Sequence, residues 1–105
     1  HIHTVGKCDP PDFKTAGGHL NPQNMKHGLK NPSGPHAGDM PNITVGKNGK
    51  GKMMILNKRV TLTPGSNSLF HEGGTALIIH AKADDESTDP TGNAGDRIAC
   101  GVIMK

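Results

Sequence analysis

The chain has 105 residues, enough for at most one domain, and only 31% of them are hydrophobic. It has two phenylalanines and no tryptophan or tyrosine. The 15 glycines and 8 prolines favour an all-β chain rich in turns and long loops. The net charge of +3 comes from scattered lysines without interleaved aromatic residues, which argues against nucleic-acid binding. No apolar run approaches the roughly 18 residues of a membrane span.

Four segments are predicted to be extended. In chain order these are "HIHTV" at residues 1–5, "NITVGKNGKGKMMIL" at residues 42–56, "TALIIHA" at residues 75–81 and "RIACGVIM" at residues 97–104. The second contains Asn48-Gly49, a strong signal for a β-hairpin turn. The last two are short β-branched apolar runs, as buried strands require.

Two long segments without a usable period separate these strands, at residues 8–41 and 83–96. Loops of such length inside a compact domain are usually functional or disordered. Five of the seven histidines fall in the first loop or at its edges, which favours a function for it.

The first loop carries the ligand types of a tetrahedral zinc site. Three imidazoles and one carboxylate are available, from His19, His27, His36 and Asp39. The alternative is a set of solvated surface histidines.

A second group of histidines lies on the predicted strands. Residues i and i+2 of a strand share a face, so His1 and His3 lie side by side, and His80 shares a face with Ala76 and Ile78. With one loop histidine they make an all-nitrogen set, which copper(II) prefers. Two histidines on an exposed strand, or the remnant of a tag, are equally common explanations of such a pair.

The two cysteines, Cys8 and Cys100, lie near opposite ends of the chain. A bridge between them would close most of the chain into one loop and imply an oxidising compartment. Two buried free thiols in a cytosolic protein are an equally open alternative.

The motifs taken together resemble those of the copper,zinc superoxide dismutases, with an enlarged loop typical of the bacterial branch. The residues that carry the resemblance are "HIH", "GGHLNP", "KHG", "PHAGDMPN", "IIHAKADD" and "TGNAGDRIACGVI", in the family's order and near its spacing. The resemblance implies a Greek-key, immunoglobulin-like β-sandwich, or flattened barrel, with long metal-binding and electrostatic loops. In that family the first ligand lies well inside the domain, so residues 1–105 are expected to be a single domain that comprises its C-terminal two-thirds, without the usual N-terminal strands.

The resemblance also assigns roles to individual residues. Copper falls to His1, His3, His19 and His80, and zinc to His19, His27, His36 and Asp39, so that His19 is shared between the metals. Asp84 corresponds to the carboxylate that links a copper-ligand to a zinc-ligand histidine, and Cys8 and Cys100 to the family's disulfide. Arg97 matches the arginine beside the copper that attracts the anionic substrate, and Thr91 matches the threonine on the opposite wall of the channel.

The function implied is conversion of superoxide to dioxygen and hydrogen peroxide in an extracytoplasmic compartment, periplasmic, cell-surface or secreted, with Arg97 and His19 catalytic. The alternative is a non-catalytic zinc- and copper-binding relative, and the choice between monomer and homodimer stays open. One departure concerns the loop "DDESTDPTGNAGDR", which has five acidic residues and places Asp96 beside Arg97. We expect it to attract anions weakly, so that Lys14, Lys26 or Lys30 supplies the attraction instead.

Overall fold

The computed structural model describes residues 1–105, and its regular structure is almost entirely β. The strands are β1 (Ile2–His3), β2 (Thr75–His80) and β3 (Arg97–Ile103), and a short 3-10 helix spans Lys14–Ala16. They form one antiparallel sheet in the order β1-β2-β3. The all-β prediction is therefore confirmed. The structure has no helix of the length and apolarity that a membrane crossing requires.

The register of the sheet places His3 and His1 opposite Ala76 and Ile78, the inward-facing residues of β2 that precede His80. Ile2 pairs with Leu77 and His3 with Ala76. The backbone nitrogen of His1 donates to the Ile78 carbonyl (3.1 Å), and the Ile78 N–H donates to the His1 carbonyl (2.9 Å), which continues the pairing by one residue. On the other side of β2, His80 pairs with Arg97 after an irregularity in the ladder.

Strand β2 follows the alternation that its sequence predicts. Ala76 and Ile78 are fully buried, while Leu77 and Ile79 are 40% and 37% exposed. Because successive side chains of a strand point to opposite faces, His80 shares the inner face with Ala76 and Ile78. This alternation aims the His80 ring inward at the end of the strand.

The hairpin predicted at residues 42–56 forms its turn but not its strands, so the prediction of strands there is wrong. Around Asn48-Gly49 the Gly46 N–H donates to the Lys50 carbonyl (2.8 Å), but no strand forms on either side. The apolar side chains of this segment are exposed, Met54 by 96%. A two-stranded hairpin that buries no apolar face is marginal in water, so the turn signal alone does not produce strands.

Two small apolar clusters flank the sheet and fix the first loop against it. One contains Ile2, Leu20 and Ala37, and the other contains Ala16, Ala76 and Ile78, with Cys8, Phe13 and Cys100 packed against it. The loop also bonds to β1 directly, since the Leu20 N–H donates to the Ile2 carbonyl (2.8 Å) and the Ile2 N–H donates to the Gly38 carbonyl (2.9 Å). These contacts hold the loop histidines beside those of the strands.

The predicted disulfide between Cys8 and Cys100 is present. It joins the start of the first loop to the middle of β3, with 5.6 Å between the Cα atoms and a sequence separation of 92 residues. That Cα distance lies in the usual range for a bridge. The Greek-key connections and the second sheet of a sandwich stay predictions.

Candidate metal centre

Six of the seven histidines converge on one buried location between β1, the end of β2 and the first loop. The His1 and His19 ring centroids lie 4.0 Å apart, and His1 and His80 lie 4.6 Å apart. His19 is in the middle, 5.1 Å from His27 and 5.2 Å from His36 between ring centroids. The structure therefore brings the strand histidines and the loop histidines into one cluster.

The first side of the cluster consists of four ring nitrogens within 4.8 Å of one another, from His1, His3, His19 and His80. The nitrogens His1 Nδ1, His3 Nε2, His19 Nε2 and His80 Nε2 are all buried without a hydrogen-bond partner. The opposite nitrogens of two rings are satisfied, His3 Nδ1 by the Gly17 carbonyl (2.7 Å) and His80 Nδ1 by the Gly95 carbonyl (3.2 Å). Since a carbonyl only accepts, those two Nδ1 atoms carry the proton and each Nε2 presents a lone pair.

The second side of the cluster surrounds the Oδ1 atom of Asp39. His27 Nδ1 lies 2.9 Å from it, His19 Nδ1 3.5 Å and His36 Nδ1 3.6 Å. His27 Nδ1 and Asp39 Oδ1 are close but poorly aligned, so both remain without a hydrogen bond. The nitrogens His19 Nδ1 and His36 Nδ1 face each other at 3.1 Å. His1, on the border, also lies within 4.8 Å of the His19, His27 and Asp39 donors.

Asp39 is kept ionised by its surroundings. Burial alone would raise its pKa, but the nearby His19 ring and the hydrogen bonds from the backbone N–H groups of Gly28 and His36 outweigh burial and lower the pKa to about 2. Both N–H groups donate to Oδ2 at 2.9 Å, which leaves Oδ1 free to face the imidazoles. A carboxylate so fixed offers one oxygen to a cation.

The imidazoles are kept neutral by the same burial. Desolvation lowers the pKa of His3 to about 3, and it also lowers the pKa values of His19, His36 and His80. A neutral imidazole is the form that binds a metal ion. At neutral pH His3, His36 and His80 therefore each present one lone pair without first releasing a proton, whereas His19 must lose its remaining ring proton to offer both nitrogens.

Asp84 connects the two sides of the cluster. Its Oδ2 accepts from His1 Nε2 at 2.5 Å and its Oδ1 from His27 Nε2 at 2.9 Å, so both rings turn Nδ1 toward the centre. A Cβ at Gly92, whose φ is +68°, would collide with Asp84 Oδ1 and His27 Nε2. Glycine is therefore required where the second loop passes over this carboxylate.

The donor chemistry fits the two metals that the sequence suggests. Six buried polar atoms of the cluster lack a hydrogen-bond partner, a costly arrangement unless a cation completes it. Four nitrogens on the first side suit copper(II), whereas three nitrogens and a carboxylate oxygen on the second suit zinc.

Arg97 pairs with His80 in the sheet and lines a cavity of about 690 Å³ together with residues 11–14, 95, 96 and 98. Its Nη1 donates to the Phe13 carbonyl at 2.9 Å. Asp96, Asp12 and Lys14 line the same cavity. The wall of this cavity therefore carries both signs of charge.

Lys26, Lys30 and Thr91 do not line this cavity. Lys26 pairs with Asp89 (3.8 Å) and Lys30 with Glu86 (3.7 Å), which reduces the excess negative charge of the second loop. Thr91 is exposed on that loop, away from the cavity. Its place on a channel wall stays a prediction.

Two supporting residues were missed by reasoning from the sequence. Arg59 Nη2 donates to the Asp39 carbonyl at 2.5 Å, and Asp89 Oδ1 accepts the His27 N–H at 2.7 Å. Both contacts link segments at least 20 residues apart. No local sequence signal marks such partners.

A family model described as copper/zinc superoxide dismutase (SODC) matches residues 1–103. The chain belongs to this family. Membership in the copper/zinc superoxide dismutase family implies copper and zinc as its cofactors, which agrees with the two donor sets.

Named relatives of this family match along almost the whole chain. Copper–zinc superoxide dismutases 1 and 2 of Aquifex aeolicus (strain VF5) are 64% and 62% identical over 98% of the chain. A superoxide dismutase-like protein, YojM, of Bacillus subtilis (strain 168) is 47% identical over 99% of it. The chain spans about three-fifths of the length of the Aquifex proteins, 62% and 61%, and 54% of YojM.

Solved structures share the fold. A double mutant of a SOD-like protein from Bacillus subtilis superposes with a TM-score of 0.96 at 47% identity, covering all of this chain and 69% of that one. The clock protein EA4 gives a TM-score of 0.81 at 33% identity, covering 97% of this chain and 66% of that one. The all-β fold is therefore that of superoxide dismutase-like proteins.

Proposed function

We propose that this chain carries the metal centre of a superoxide dismutase, which converts superoxide to dioxygen and hydrogen peroxide. The observation that carries the proposal is the set of unpartnered donor atoms on both sides of His19, with an arginine at the adjacent cavity. The family and the Aquifex relatives support the same activity.

The proposed metal ligands follow from the two donor sets. The proposed copper ligands are His1 Nδ1, His3 Nε2, His19 Nε2 and His80 Nε2. The proposed zinc ligands are the Nδ1 atoms of His19, His27 and His36 and the Oδ1 atom of Asp39. When bound, copper supplies one-electron redox chemistry, while zinc, which has none, supplies charge and geometry.

His19 is the proposed proton carrier of the reaction. Its Nδ1 faces His36 and Asp39, while its Nε2 is free on the other side. Because Nε2 has no partner within the protein, it could hold a proton whenever it does not bind copper and give that proton to the reduced product. Asp84 supports this role by holding the neighbouring His1 and His27 rings in one orientation.

Arg97 is the proposed binding residue for the anion. Its guanidinium is always charged, and the bond from Nη1 to the Phe13 carbonyl fixes its position on the cavity wall. Asp96 and Asp12 oppose this attraction, and Lys14 adds to it. We assign Thr91 to the channel only by its family position.

The compartment proposed for this activity is extracytoplasmic. The Cys8–Cys100 disulfide supports that location, because disulfides persist in oxidising environments. Greek-key connectivity is part of the same proposal and rests on the likeness to superoxide dismutase-like structures.

A second candidate is a metal-binding, non-catalytic relative. The observation that favours it is the 47% identity to a protein named only superoxide dismutase-like. One solved structure of a SOD-like protein from the same species is a double mutant in which a tyrosine and a proline are each replaced by histidine. This chain has six clustered histidines without replacement, which favours the enzyme.

A superoxide decay assay on protein loaded with copper and zinc separates the two candidates. We expect activity in the loaded protein and at least a hundredfold loss in His80→Ala. The matched control is His71→Ala, because His71 lies outside the cluster and bonds the Thr4 carbonyl through Nε2. Stoichiometric binding of both metals without superoxide decay would favour the non-catalytic candidate instead.

A further inference from the structure

Asn42 forms a two-point hydrogen-bonded clamp on the backbone of Asp84. Its Nδ2 donates to the Asp84 carbonyl at 2.9 Å, and the Asp84 N–H donates to its Oδ1 at 2.8 Å. The two residues are 42 positions apart and belong to different loops. One amide side chain thus satisfies both backbone groups of the residue whose carboxylate joins the two sides of the cluster.

The clamp fixes the direction in which the Asp84 side chain leaves its loop. Asp84 is 8% exposed, and its carboxylate contacts His1 and His27, while Oδ1 also accepts the Glu86 N–H at 2.7 Å. A carboxylate that serves two rings tolerates little displacement, because moving toward one ring lengthens the bond to the other. Glu86 holds the Asp84 carboxylate and belongs to the same loop as Asp84. Asn42 holds the Asp84 backbone and belongs to a different loop.

Asn42 also lies three residues after Asp39, which faces the second donor set. The segment from Asp39 to Asn42 is held at its first residue, because Arg59 donates a hydrogen bond to the Asp39 carbonyl. The clamp therefore connects the segment that carries Asp39 with the loop whose Asp84 orients His1 and His27.

We propose that Asn42 is a positioning residue for both metal sites and that it acts through Asp84. This proposal rests on the proposed metal ligands and extends them to a residue that contacts none of the donor atoms. Partners that hold ligand-orienting groups typically change metal affinity by about 10- to 100-fold when removed. For removal of the Asn42 side chain we expect an affinity loss at the lower end of this range, because Glu86 still holds the Asp84 carboxylate.

The first test measures copper and zinc affinity by competition with chelators in four proteins. Asn42→Ala removes both bonds, and Asn42→Asp keeps the acceptor for the Asp84 N–H but turns an oxygen toward the Asp84 carbonyl. Both variants should lose roughly tenfold in affinity for each metal and change the Cu(II) electron paramagnetic resonance spectrum. The matched control is Asn48→Ala, which removes a side-chain bond to the Lys50 N–H in the distant turn and should match wild type.

A double-mutant cycle separates positioning from a general loss of stability. If Asn42 acts through Asp84, then Asn42→Ala should cost little further affinity in an Asp84→Asn background. Additive losses, or an unchanged copper spectrum in Asn42→Ala, would overturn the proposal.

A metal-free readout distinguishes failure of this proposal from failure of the proposed function. The Nε2–H protons of His1 and His27 are buried and bonded to Asp84, so they should give slowly exchanging signals in nuclear magnetic resonance spectra. Asn42→Ala should broaden these signals and Asn48→Ala should keep them. Wild-type protein that binds no copper would refute the function alone, and signals that persist in Asn42→Ala would refute the positioning role alone.

Discussion

Removing the disulfide is expected to cost this protein a large part of its stability. We consider the double variant Cys8→Ala/Cys100→Ala, which opens a loop closed over a separation of 92 residues. The loop-entropy relation gives about 4.6 kcal/mol at 25 °C for that length. Net stabilities of domains are about 5–15 kcal/mol, so this term alone is comparable with the lower limit.

The sparse core makes the bridge harder to replace. Only seven hydrophobic residues are buried, and the bridge packs against one of the two clusters that six of them form. We therefore expect the melting temperature of the double variant to fall by roughly 20 °C or more, at about 4–8 °C per kcal/mol for a domain of this size.

Urea unfolding of metal-free protein, followed by far-ultraviolet circular dichroism, is the appropriate assay. Metal must be absent because any ligand of the native state adds its own stabilisation. Wild-type protein treated with reductant serves as the control and should approach the double variant. A difference below about 1 kcal/mol between oxidised wild type and the double variant would refute the reasoning.

Three further substitutions test the site. Asp84→Asn can accept from only one of the two rings, so we expect copper and zinc affinities to fall about 10- to 100-fold in chelator competition. Gly92→Ala places a Cβ against Asp84 and His27 at a φ of +68°, and it should cost more than the roughly 1–2 kcal/mol of the backbone conformation alone in urea unfolding. Arg97→Met should lower kcat/KM for superoxide by about tenfold or more and weaken its salt dependence, whereas Arg97→Lys should retain the salt dependence; equal salt dependence in all three proteins would contradict the steering role.

Local sequence patterns predicted the two longer strands well. The β-branched alternation of residues 75–80 determines which side chains point inward, and this holds because Ala76 and Ile78 find a core. The hairpin prediction failed because the apolar side chains beside its turn are exposed and find no core. Asn48-Gly49 is sufficient to reverse the chain, but strands beside it need a buried face that no local signal guarantees.

The ligand residues could be predicted from their chemistry, but their supporting contacts could not. Histidines and a carboxylate in one loop indicate a metal regardless of how the loop folds. Asp84 was identified only through the family resemblance, since an isolated acid in an acidic loop is otherwise ordinary. The contacts of Asn42 and Arg59 connect residues 42 and 20 positions away, and their partners are backbone atoms that carry no side-chain signature.

The burial pattern explains why the first loop and the metal centre must be stable together. Seven polar or charged residues are buried, as many as the hydrophobic ones, and His3, His27 and Asp39 are among the least exposed side chains. Burying a polar atom without a partner costs about 1–3 kcal/mol, so the six unpartnered donor atoms of the cluster oppose folding by an amount comparable with the whole net stability. A bound cation removes this cost by completing the coordination of those atoms, and the free energy of metal binding then becomes folding free energy. The loop is therefore placed by the small apolar clusters around Ile2 and Ile78 and by its backbone bonds to β1, and metal binding adds to the stability of that arrangement.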